Sequence, residues 1–142
     1  MKKEKYMFLY LILFLLMTIG AFGWQIFMPS IADKYSTWTG SKGWQEEIAL
    51  WNVGIDIGIV ITLITKNVEY TKILCVIATA LCFLLGGHHF IYALTSTTGN
   101  TLLHWIGTIE VLLIGGVAGV FAIFKSEKFK KVVDYNETTN LN

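Results

Sequence analysis

The sequence predicts an all-α fold, a bundle of four membrane-spanning helices with both termini on the cytoplasmic side. Three observations carry this. Of 142 residues, 54% are hydrophobic, and the mean hydropathy of +0.58 lies well above that of a soluble domain. Four apolar runs, Met7–Met28, Ile48–Thr65, Ile73–Thr95 and Leu102–Phe124, have membrane length: at 1.5 Å per residue they make about 27–35 Å of helix, against a hydrocarbon core of about 30 Å. The lysines are unevenly divided by these runs. Lys2, Lys3, Lys5, Lys66, Lys72, Lys125, Lys128, Lys130 and Lys131 fall on one side and only Lys34 and Lys42 on the other, a positive-inside bias that puts both ends inside. Little chain is left over, so residues 1–142 read as a single integral membrane domain with a cytoplasmic tail, 125–142.

The first span ends at Pro29, the only proline. Ala21-Phe22-Gly23 resembles a small-residue cleavage site, but the apolar run continues through Trp24, Ile26, Phe27 and Met28. A signal-peptide core is only about 7–15 residues, so an uncleaved anchor is the better reading. The outer loop Ser30–Glu47 carries Tyr35, Trp38 and Trp44; such rings favour the membrane–water interface, and the loop is expected to lie on the bilayer as a partial cover. Lys66–Lys72 is a tight inner turn and Ser96–Thr101 a short polar outer one. In the tail, Asn136-Glu137-Thr138 fits the glycosylation pattern but lies inside.

Several function classes are excluded by composition. Net charge is +1 and there is no arginine, which argues against nucleic acid and against bidentate gripping of phosphates or carboxylates. No nucleophile elbow, P-loop or dinucleotide fingerprint is present, and no catalytic residue is assigned. Cys75 and Cys82 sit about 10 Å apart along one helix, too far for a disulfide, and read as packing residues.

Helical periodicity sorts the faces. On the fourth span His104, Gly107, Thr108, Val111, Gly115, Ala118, Gly119 and Ala122 share a small-residue stripe, with Glu110 at its edge. Trp105, Ile109, Leu112, Leu113, Val120 and Phe124 face lipid. On the third, Cys75, Ala78, Cys82, Gly86, His89 and Ala93 form a seam, and His88 points away from it. On the second, Asn52 and Asp56 share one face, while Gly54 and Gly58 lie nearly opposite, a GxxxG pair suited to a homodimer or to a membrane-complex partner.

Ionisable groups within spans are costly, about 2.5–3.5 kcal/mol each on insertion scales, and are functional by default. Counted from the outer ends, His104, Asn52, His89, Asp56 and Glu110 all lie within about 12 Å. One outward-facing polar pocket would collect these five as a ligand-binding site, with Gln25 nearby. Asp56 and Glu110, if close, would share a proton as a relay; the bland alternative is a structural pair fixing helix register. His89 and His104 suit a metal with a carboxylate, but no HxxxH or ExxH spacing supports one, so no metal is assigned and the cofactor is left open.

The Glu47–Asn52–Gly54 stretch, Gly87-His88-His89 and the glycine-rich fourth span resemble the layout of DoxX-like small four-span bacterial membrane proteins. That resemblance covers Glu47–Phe124 and implies a four-helix bundle, in some members associated with membrane redox complexes. The expected function is binding of a small molecule, or support of a membrane redox partner, at the outer polar pocket. Proton- or metal-coupled transport and a structural role in a membrane complex are the alternatives.

Overall fold

The structure, a computed structural model, describes residues 4–38 and 41–126; the expectations placed on Lys2, Lys3 and the tail from residue 127 lie outside them. It is all-helical, with no strand among the described residues. The elements are α1 (Lys5–Phe27), a short α2 (Ser30–Tyr35), α3 (Lys42–Thr65), α4 (Val68–Thr95) and α5 (Leu102–Phe124), whose middle, Thr108–Val117, is wound as a π-helix. The four long helices are each long and apolar enough to cross a membrane.

Caps, not hydropathy, set the ends. α3 begins at Lys42 rather than Ile48, because the Ser41 hydroxyl accepts from the Trp44 N–H at 3.3 Å. α4 begins at Val68 rather than Ile73, because Asn67 Oδ1 accepts from the N–H groups of Glu69 and Tyr70 at 3.0 and 3.1 Å. A side-chain oxygen at the N-cap satisfies donors that the first turn leaves open. Lys66 takes the left-handed conformation, φ 52°, so only two residues separate α3 from α4. The loop after α1 is partly helical where a plain cover was expected.

The helices run up and down. α1 packs along α3, and α4 along α5. α1 also joins the pairs, touching α4 and the last turns of α5, whereas α3 meets α4 only lightly. The tight core lies toward the end that carries the termini, around Met7, Leu11, Phe14, Ile59, Cys75 and Cys82. Large apolar side chains point outward instead: Leu16, Ile64 and Leu84 are 63%, 75% and 70% exposed, an inversion that suits lipid and not water.

Polar residues inside the helices mostly satisfy themselves. The hydroxyls of Thr18, Thr62, Thr71, Thr79 and Thr108 each donate to the carbonyl four residues earlier, at 2.6–2.9 Å. Such back-bonding lowers the cost of a hydroxyl in an apolar medium.

Glycines set the α4–α5 approach. A Cβ on Gly86 would come within 2.6 Å of Leu112 Cα, one on Gly107 within 2.7 Å of the His89 ring, and one on Gly115 within 2.6 Å of Cys82 Sγ. Close backbone approach of this kind is the usual way membrane helices gain van der Waals contact. Leu112 departs from the expected face. It packs by its backbone against Gly86 and is half-buried, whereas periodicity put it on the lipid side. The π turn is the reason: it holds about one residue more per turn than the 100° spacing assumes, so residues within it rotate off the predicted stripe.

Candidate functional site

The polar centre of the molecule is a ring cluster at the end opposite the termini. Three segments build it: Ser36–Trp38 after α2, the last turns of α4, and the first turn of α5. Trp38 fills the middle. Its ring centroid lies 5.2 Å from His88 in a stacked arrangement, 4.8 Å from His89, 4.6 Å from His104 edge-on, and 5.4 Å from Tyr92. Gly107 makes room for the His89 ring beside α5.

His104 is fully buried and bonded on both nitrogens. Its Nε2 accepts the Thr37 backbone N–H at 3.2 Å, with the hydroxyls of Thr37 and Ser36 at 2.8 and 3.3 Å. A backbone N–H can only donate, so Nε2 presents its lone pair and the ring proton is assigned to Nδ1. Nδ1 lies 3.4 Å from Nδ1 of His89, which then accepts. Thr37 Oγ1 also meets Ser96 Oγ at 3.1 Å, and the Trp38 N–H donates to Ser36 Oγ at 2.9 Å. The result is a latch: a three-residue segment held to α4 and α5 by one buried imidazole and a stack of rings.

Of the five residues expected to share one pocket, the structure brings together His89 and His104 and places the other three elsewhere. Asp56 is half-buried between α3 and α1, where the Thr18 hydroxyl meets its Oδ1 at 2.5 Å. It borders a groove of about 420 Å³ walled by Leu15, Ile19, Phe22, Val53, Ile57, Val60 and Ile61. Asn52 is half-buried one turn away on the same α3 face and makes no side-chain hydrogen bond among the described residues. Glu110 is exposed on the outside of α5, off the edge of the small stripe where periodicity put it. Depth along the membrane is one coordinate only. Helix order supplies the other, and α3 lies beside α1 rather than along α5.

The α1–α3 seam has its own pattern. Residues 11, 15, 18, 22 and 25 on α1, and 45, 49, 52, 56, 59 and 63 on α3, alternate spacings of four and three, the signature of close antiparallel packing. The half toward the termini is apolar: Leu11, Leu15, Ile59, Leu63. The other half holds Thr18, Gln25, Gln45, Asn52 and Asp56. Gln25 and Gln45 are buried with Oε1 unbonded among the described residues.

Ser36, Thr37, Trp38, His88 and Tyr92 were not assigned to the site from the sequence. The available signal was Trp38 itself, an interfacial ring in a loop expected to lie on the bilayer as a partial cover. Among the described residues no three His, Cys, Asp or Glu side chains gather to hold a metal. Comparison with protein-family models, with curated proteins and with solved structures finds no match for this chain.

Proposed function

We propose that this is a multi-pass protein of the cell membrane, with both termini cytoplasmic, that binds a small molecule or a membrane redox partner at its histidine cluster on the outer side. The lysine distribution supports the orientation. The four-span layout supports placing the chain beside the DoxX-like proteins. The observation that carries the functional reading is the way Thr37 and Trp38 occupy the cluster. They offer what a ligand would offer: a flat ring stacked on the His88 imidazole and edge-on to that of His104, and an N–H donor aimed at His104 Nε2. The matching ligand is a planar ring bearing an N–H or O–H donor, and the loop competes with it.

Competition makes the reading testable. Mass spectrometry of extracts from purified protein should find a bound small molecule. Trp38→Ala, which removes the competitor, should raise its occupancy, and His104→Phe, which removes the acceptor, should lower it. No bound molecule in either wild type or Trp38→Ala would reject the proposal.

Proton-coupled transport is the second reading, and the α1–α3 seam favours it. Gln45, Gln25, Asn52 and Asp56 follow one another along it from the loop end inward, two of them with buried oxygens unbonded among the described residues. Proton flux in proteoliposomes that Asp56→Asn abolishes would support this reading, and equal flux in both would end it.

A further inference from the structure

Glu110 is unused by the latch and by the seam. It lies about 12 Å from the loop end of α5, deeper than its side chain can reach back to water. It is exposed, and it makes no hydrogen bond or ion pair among the described residues. Around it Ile106, Ile109, Leu113, Ile114 and Val117 all face outward, forming an apolar strip with a single carboxyl in its middle. The strip runs along the π-helical stretch Thr108–Val117, an irregularity that recurs at functional sites. Intramembrane carboxyls almost always face protein or water, and here none of the described residues pairs with it.

We infer that this strip of α5 is the docking surface for a membrane-spanning helix of a different protein, which presents a basic side chain to Glu110. The complement must be basic because the strip offers one acidic group among aliphatic ones, and pairing across a helix interface is what makes such a group tolerable in lipid. The partner is a different protein because a second copy has no cation to offer. The chain lacks arginine, and its lysines all lie outside the apolar runs. Two copies meeting here would set carboxyl against carboxyl. The fold itself does not use Glu110, so its replacement tests docking without disturbing the latch.

The experiment is photocrosslinking in native membranes, with p-benzoylphenylalanine at position 114 and a control probe at position 64 on the outside of α3. The expected product at position 114 is a heteromeric adduct whose crosslinked peptide is a membrane span containing Lys or Arg. Its yield should fall at least about tenfold in Glu110→Leu, fall less in Glu110→Gln, and recover when Glu110→Lys is combined with a carboxylate at the partner's basic position. Retained exchange protection at Thr37 shows that each variant is folded. Adducts only with lipid, only with another copy of this chain, or with a span lacking a basic residue would overturn the proposal. So would an adduct insensitive to Glu110→Leu.

Discussion

Replacing His104 by Phe isolates the latch, because it keeps a flat buried ring and removes both nitrogens. Three groups of the loop converge on Nε2: the Thr37 N–H, the Thr37 hydroxyl and the Ser36 hydroxyl. One lone pair serves them, so the sum is not three full bonds. The two hydroxyls keep other partners, Thr37 Oγ1 with Ser96 and Ser36 Oγ with the Trp38 N–H. Within the loop only the Thr37 N–H is stranded; His89 Nδ1, on α4, also loses its donor, but that loss is the same whether the loop is open or closed. Leaving one partly buried donor unpaired costs about 1–2 kcal/mol, which is about a 5–30-fold rise in the population of the open loop. The stack with Trp38 survives the change, so the loop is loosened rather than lost.

Amide exchange followed by mass spectrometry reads this directly. Peptides covering 36–38 should exchange about 5–30-fold faster in His104→Phe, while those covering 7–14 and 75–82 stay as protected as before. His104→Gln retains an acceptor and should recover part of the difference. Unchanged exchange at 36–38 in His104→Phe would refute the assignment of Nε2 as the acceptor that holds the loop. Equal acceleration everywhere would refute the idea that the latch opens independently of the bundle.

Three further outcomes follow from the packing. Asp56→Leu should change stability by less than about 1 kcal/mol in thermal unfolding, because the Thr18 hydroxyl also reaches the Phe14 and Leu15 carbonyls at 2.9 and 3.0 Å and is not stranded; a larger loss would mean the carboxyl has partners beyond Thr18. Gly86→Leu should cost about 1–3 kcal/mol or more, since the Leu112 backbone occupies the space any side chain would need; an unchanged melting temperature would show that α4 and α5 do not approach so closely. Gly54→Leu with Gly58→Leu should convert an oligomer to monomer by light scattering in mild detergent while leaving stability unchanged, because a Cβ at either position meets nothing within 4 Å; an unaltered mass would remove the second span from any self-contact.

Much of this was legible in the sequence because lipid imposes a simple rule on length and hydropathy. The four spans, the Cys75–Ala78–Cys82–Gly86 seam and the close approach at Gly115 follow from counting residues and from a 3.6 period. The choice of His89 over His88 as the inward ring came from the same period, and His89 is half-buried against His104 while His88 is exposed. The fourth span is where that arithmetic fails. Nothing in Thr108–Val117 announces a π-helix, and its extra residue per turn brought Leu112 onto α4 and carried Glu110 outward. Helix order was equally silent. Asp56 and Glu110 share a depth, yet α1 stands beside α3 and takes Asp56 for its own Thr18. The role of Trp38 was invisible for a different reason: a loop has no period, so its docking depends on which rings the distant helix ends present.

The two halves of the bundle differ in how firmly they are built. Toward the termini the packing is tight and largely apolar: Met7, Leu11, Ile59 and Cys75 are at most 1% exposed, and Tyr6 meets Phe121 edge-on at 5.7 Å. Toward the loops the seam turns polar, and among the described residues Gln25 and Gln45 are left with unbonded oxygens and side chains at Gly20 or Gly23 would meet nothing within 4 Å. Local opening draws on regions with few buried apolar contacts, while the densely packed region sets the global stability. The loop end can therefore part from the rings it covers, at the cost of a few hydrogen bonds and a stack, without disturbing the core that holds the four helices together. The ligand site proposed above would need that separation, and it follows from where the sequence puts its leucines and where it puts its amides and imidazoles.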